Sequence, residues 1–309
     1  MHEMMKPRVF WQLLKKTFDE FFEDNSLKLS ASLSYYTIFS IAPLLIIIIS
    51  LAGIFFGLEA VQGRVYGQIN GLVGNSAAAQ IQEIIKNVQT SEHKQGGAVA
   101  GFIILIIGAT GVFTEIQDSI NYIWSVKAKP KKGWLKIIMN RLLSFSLIAS
   151  FGFLLLVSLL VNSVMDVMSD RLKLLFADAT VYIFYIINTI VIFFTISLLF
   201  AIIFKVLPDA KIRWRDAFVG AFFTALLFLV GKFLISFYLG SSSIGLTYGA
   251  AASIILVLLW VYYSSIILYF GAEFTKVYTM HCGGKITPTD TAVFIVKQEV
   301  REIDVAPLK

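Results

Sequence analysis

Between Asp216 and Glu273 the chain carries a single charged side chain, Lys232. An ammonium group in so long an apolar stretch is costly in hydrocarbon unless it meets a cavity, a partner or an outlet to the interface. Two readings of Lys232 stay open: contact with an anionic substrate, or snorkelling of its stem to the outer membrane surface. Asn188 is an amide in the middle of another apolar run, where it could touch a substrate or bond across helices. Pro43 follows Ser34-Tyr35-Tyr36-Thr37; lacking an N–H, it frees a backbone carbonyl and should kink its helix. Lys232, Asn188, Pro43, Tyr35 and Tyr36 are therefore the substrate-path candidates. Glu115, Asp118 and Asn121 share one helical face by their spacing, and Glu273 closes the last apolar run. These four form a candidate polar cluster at the cytoplasmic helix ends, read either as interfacial ion pairs or as a proton- or cation-linked site.

Other chemistry finds no residues to support it. The chain has no P-loop, no dinucleotide-binding glycine fingerprint and no zinc-ligand spacing. His2, His93 and His281 are scattered, and the neighbouring His281 and Cys282 lack a third ligand. No catalytic residue, metal or cofactor is expected, and the chain is not read as an enzyme.

The elements that must position these residues are membrane helices. The chain has 309 residues, 57% hydrophobic and 15% charged, against about 45–50% and roughly 25% for a soluble globular protein. A soluble fold of this size could not hide that much apolar surface. A membrane helix needs about 20 apolar residues. Charge-free runs and their interruptions predict six spans, at about 29–58, 95–114, 142–165, 179–204, 217–239 and 248–272, the last two separated by the break at Gly240-Ser241-Ser242-Ser243. The expected fold is therefore an all-α membrane protein with a cytoplasmic segment 1–28, a six-helix domain 29–272 and a cytoplasmic tail 273–309. Long runs without alternation exclude a β-barrel.

Orientation follows from the bases. Five lie in residues 1–28, six in the connection after the second span, four after the fourth and five in the tail, twenty in all against six on the other side. Both termini are thus predicted to be cytoplasmic. The net charge of +6 is explained by this sorting and by anionic lipid, without nucleic acid. The first apolar run is too long for a cleaved signal and should act as an anchor. One cysteine, Cys282, permits no internal disulfide.

Between the spans, residues 8–22 place Phe10, Leu13, Leu14, Phe18, Phe21 and Phe22 at helical spacing, with Lys15, Lys16, Asp19 and Glu20 opposite. This predicts an amphipathic interfacial helix with aromatic anchors. Residues 59–95 predict two amphipathic helices in the first external loop, and Val293 to Val296 is strand-like. The connections ending at Trp134 and Trp214 share a loose pattern of Pro, clustered bases and a closing Trp; interfacial anchoring would produce the same pattern.

The stretches SASLSYYTIFSIAPLL (30–45), GATGVFTEIQDSINYIW (108–124), KVLPDAKIRWRDAFVGA (205–221) and YGAAASIILVLLWVYYSSIILYFGAEFT (248–275) together resemble the YihY/virulence factor BrkB family, bacterial inner-membrane proteins once labelled ribonuclease BN-like. The resemblance extends over roughly residues 8–280. It implies a six-helix protein of the bacterial cytoplasmic membrane and brings no catalytic residues. Ribonuclease chemistry is not expected, since the acidic metal cluster or His pair it would use is missing. The expected function is a transporter or flippase-like permease for an amphiphile, envelope lipid or small solute. The alternative is a non-transporting scaffold or envelope-assembly factor. Membrane lipids are the expected partners, nucleic acid is not, and homo-oligomerisation stays open.

Overall fold

A computed structural model describes residues 7–39, 111–129, 179–241, 252–282 and 284–297. The predicted spans at 29–58, 95–114 and 142–165 lie mostly or wholly outside the described residues, as do Pro43 and the external-loop helices of 59–95. Helix α1 is Pro7–Glu23, α2 covers residues 26–39 and α3 residues 111–123. Helix α4 is Ala179–Val206, α5 Trp214–Ser241 and α6 Ala252–His281. Four short strands complete the set: β1 Val126–Ala128, β2 Ala210–Lys211, β3 Thr287–Pro288 and β4 Ala292–Phe294.

Among the described residues three helices are long and apolar enough to cross a membrane, over Thr189–Val206, Trp214–Ile235 and Ile255–His281. Helix α5 ends at Ser241, inside the predicted Gly-Ser break. Helix α6 continues past Glu273 to His281, because the charges that mark the end of the apolar run have partners inside the fold, described below.

Helix α4 packs on α5, α5 on α6, and α1 on α6. Lipid tails are as apolar as leucine, so such contacts depend on close van der Waals fit and small residues. The α5 face is built accordingly: Ala217, Ala221, Thr224 and Ala225 have no exposed surface, and neither do Ala272, Thr275 and Thr279 of α6. The buried hydroxyls are satisfied within their own helices, Thr224 donating to Gly220 O at 2.7 Å, Thr275 to Gly271 O at 2.7 Å and Thr279 to Thr275 O at 2.7 Å. Hence threonine can fill this apolar seam without an orphaned polar group.

At one end of the bundle the chain turns sharply twice. Asn25, φ 52°, ends α1, and Ser125, φ 55°, follows α3; both adopt the left-handed conformation common just past a helix C-terminus. The tail then crosses this end. Strand β4 pairs antiparallel with β1, Val126 opposite Phe294 and Ala128 opposite Ala292. Strand β3 pairs antiparallel with β2, Ala210 opposite Pro288. The strand-like stretch expected at Val293–Val296 is thus realised as Ala292–Phe294. Both loops that share the Pro-base-Trp pattern give one strand each to the same tail.

The predicted amphipathic helix exists, but its faces differ from expectation. Helix α1 buries Leu13, Thr17 and Phe21, while Phe10, Trp11, Phe18 and Phe22 stay exposed. Glu20, expected on the polar face, turns toward α6 because an ammonium group waits there.

Candidate functional site

Two polar layers stand out. The first lies at the end of the bundle where α1, α6 and the tail meet. Glu20 and Asp24, one turn apart at the end of α1, face Glu273 and Lys276, three apart on α6. Lys276 Nζ lies 2.6 Å from Glu20 Oε2, 3.3 Å from Asp24 Oδ2 and 3.2 Å from Glu273 Oε2. From the tail, Lys297 Nζ reaches Asp24 Oδ1 at 2.6 Å and sits 4.1 Å from the Tyr122 ring centroid. Glu273 is wholly buried, and its Oε1 has no hydrogen-bond partner among the described residues.

The three carboxylates bring oxygens within 4.8 Å of one another, close enough in principle to ligate a cation. The Lys276 ammonium, however, is within ion-pair distance of all three and already takes the place such a cation would fill. The cluster is therefore an ion-pair network joining three chain segments. Desolvating charges costs several kcal/mol each, and only close, hydrogen-bonded geometry offsets it.

Beside it, Asn121 and Gln117 of α3 hold the connection between α4 and α5. Asp209 Oδ2 accepts from Asn121 Nδ2 at 2.9 Å and Gln117 Nε2 at 3.2 Å, and Asp209 N donates to Asn121 Oδ1 at 2.8 Å. Thr289 N of the tail donates to Asp209 O at 2.9 Å. Trp124 Nε1 donates to Ala272 O at 3.1 Å, tying α3 to α6.

The second layer lies toward the opposite end of the bundle, three residues before the end of the α5 span Trp214–Ile235. Lys232 on α5 is half-buried. It lies about eighteen residues, or about 27 Å at 1.5 Å per residue, along the helix from Trp214. Its neighbour Gly231 abuts Tyr263 of α6: a Cβ built there would lie 3.0 Å from the Tyr263 hydroxyl and 2.6 Å from Ile267 Cδ1. One turn from Tyr263, Trp260 Nε1 is buried without a hydrogen-bond partner among the described residues. Antiparallel α5 and α6 thus bring an ammonium, a phenol and an indole N–H to similar depth.

The sequence-derived candidates separate between these layers. Glu273 enters the α1–α6 network and Asn121 the Asp209 network. Asp118 is exposed and Glu115 half-buried. Tyr35 and Tyr36 are 60% and 44% exposed on α2, their rings edge-to-face at 5.9 Å. Asn188 belongs to α4, with its side chain outside the described residues, and Pro43 is outside them altogether.

The model of the family described as virulence factor BrkB matches residues 17–292. The chain belongs to this family. Among similar BrkB-family relatives are UPF0761 membrane proteins of Verminephrobacter eiseniae, 28% identical over 86% of this chain and 62% of that protein, and of Vibrio vulnificus strain YJ016, 30% identical over 79% and 74%. A third, from Pseudoalteromonas atlantica, is 28% identical over 79% of this chain and 78% of its own length. The chain spans about three fifths of the first two relatives it matches, 62% and 61% of their lengths. No solved structure matches.

This BrkB-family chain is therefore a membrane protein, and its matched region contains both polar layers except for Lys297. Sequence reading missed Glu20, Asp24, Lys276, Lys297, Gln117 and Asp209. One local signal existed: Glu20 and Asp24 fall on the same helical face as Leu13 and Thr17, which places two acids on an otherwise buried stripe.

Proposed function

We propose that this protein is a permease or flippase-like transporter for an anionic amphiphile, envelope lipid or small solute. One observation carries the reading: half-buried Lys232 shares its depth with Tyr263 and with the buried Trp260 Nε1, which has no hydrogen-bond partner among the described residues. All three can donate hydrogen bonds, and donors at that depth suit a phosphate or carboxylate better than hydrocarbon. We take the fold as six spans in the bacterial cytoplasmic membrane with both termini cytoplasmic. In support, the described parts of the four basic segments assembled by the charge count meet at one end of the bundle, joined by Lys276, Lys297, Asp209 and the strand pairs.

The test is reconstitution. Vesicles containing the protein move fluorescent anionic phospholipid between leaflets faster than empty vesicles. If they move neither that lipid nor small organic anions, and the protein binds none of them, the scaffold reading replaces this one.

A further inference from the structure

Helix α1 has three faces, and the structure accounts for two of them. Leu13, Thr17 and Phe21 pack on α6, and Glu20 with Asp24 is held there by Lys276. The face bearing Gln12, Asp19 and Glu23 is exposed and polar. Between them, at 100° per residue, Trp11, Phe18 and Phe22 fall within about 40° of one another. They are 71%, 55% and 51% exposed, and the Phe18 and Phe22 rings touch in a tilted arrangement, centroids 4.8 Å apart. Exposed Lys15 and Arg8 border this stripe on the side away from α6, and the acids stand further round.

We infer that the Trp11–Phe18–Phe22 stripe is a docking face for an anionic phospholipid surface, with Arg8 and Lys15 engaging its headgroup phosphates. The order of faces is what selects this occupant. Aromatic rings favour the headgroup–acyl boundary. Bases beside them meet phosphates, each contributing about 1 kcal/mol near an anionic surface. Acids beside the rings would oppose it. The exposed apolar side of α2, with Leu27, Tyr35 and Phe39, follows directly in sequence. Because α1 is fixed to α6 by buried packing and ion pairs, this is a rigid strut from the membrane surface to α6. The inference rests on membrane residence and not on the transport reading.

The test uses the full chain with Cys282→Ser, which removes its one cysteine, and single cysteines replacing Trp11, Phe18, Phe22, Gln12, Asp19 or Glu23. Each is spin-labelled and reconstituted in phosphatidylcholine, with or without phosphatidylglycerol. Labels at 11, 18 and 22 should collide preferentially with oxygen, which partitions into lipid, and labels at 12, 19 and 23 with an aqueous nickel chelate. Arg8→Gln with Lys15→Gln should shift the label at 18 toward the chelate only in vesicles containing phosphatidylglycerol. Chelate-dominated collisions at all six positions overturn the docking face. Labels at 11, 18 and 22 shielded from both reagents and broadened by spin–spin coupling assign it to a second copy instead. A charge-neutralising effect independent of phosphatidylglycerol overturns the role given to Arg8 and Lys15.

Discussion

Gly220 of α5 faces Thr275 of α6, and the relation is reciprocal, for Thr224 of α5 faces Gly271 of α6. A Cβ added at Gly220 would lie 1.9 Å from Thr275 Oγ1, and one at Gly271 would lie 1.9 Å from Thr224 Oγ1. Each glycine carbonyl also accepts the hydroxyl of the threonine one turn later in its own helix. Two small-residue pairs therefore interlock across an antiparallel crossing, and each threonine occupies the hollow left by the opposing glycine.

Gly220→Ala should lower stability by about 1–3 kcal/mol, the usual cost of overpacking, seen as a lower unfolding temperature in detergent. Gly271→Ala should act similarly. Thr275→Ala should partly rescue Gly220→Ala but leave Gly271→Ala unaffected, a pattern a double-mutant cycle resolves. Equal rescue of both would show that the crossing is not registered in this way.

Lys276→Met should cost about 3–5 kcal/mol, because it removes the ammonium shared by Glu20, Asp24 and Glu273, leaving Asp24 only Lys297 and the buried Glu273 no cation among the described residues. Lys211, whose 3.3 Å pair with Asp290 is exposed on both sides, supplies the control. Its replacement by Met should change stability by about 0–1 kcal/mol. Comparable thermal shifts for the two variants would remove the special role of the buried network.

The tail crossing predicts a covalent trap. Ala128 and Ala292 are directly opposed, and the flanking backbone bonds Lys129 N to Thr291 O and Ile295 N to Ser125 O make theirs a non-hydrogen-bonded pair. Such pairs hold Cα atoms about 4.5 Å apart, within disulfide range. In a Cys282→Ser background, Ala128→Cys with Ala292→Cys should oxidise readily, visible as a mobility shift. Ala128→Cys with Phe294→Cys should oxidise poorly, and the reverse order would place the strands in another register.

Asn121→Ala should cost about 1–3 kcal/mol by removing two hydrogen bonds, to Asp209 N and Oδ2, at a half-buried site. Asp118→Ala, at an exposed position of the same helix, should change thermal stability much less. The same unfolding measurement compares them.

Helices α4, α5 and α6 were legible because hydrocarbon demands long charge-free runs, and their interruptions are visible in one dimension. The faces of α1 were not. That helix meets α6, a surface of its own and solvent at once, so apolar residues occur on two sides and the strongest aromatic pattern marks the exposed one. Glu20 and Asp24 find Lys276 some 250 residues away, a pairing that no local pattern encodes. Of the tail strands, the stretch at Val293–Val296 was legible and is realised as Ala292–Phe294, whereas β3 and the pairing partners of both were hidden, since short strands acquire their structure from remote partners. Lys232 was legible as an anomaly, whereas Tyr263 and Trp260 became notable only once α5 and α6 lay side by side.

In the transport reading, Lys232 contacts a moving anionic group. The most direct test measures movement of a fluorescent anionic phospholipid across vesicles containing wild type, Lys232→Arg or Lys232→Met, with folding checked by unfolding temperature. Movement is expected with wild type, largely retained in Lys232→Arg and lost in a folded Lys232→Met. Equal movement by folded wild type and Lys232→Met would contradict it.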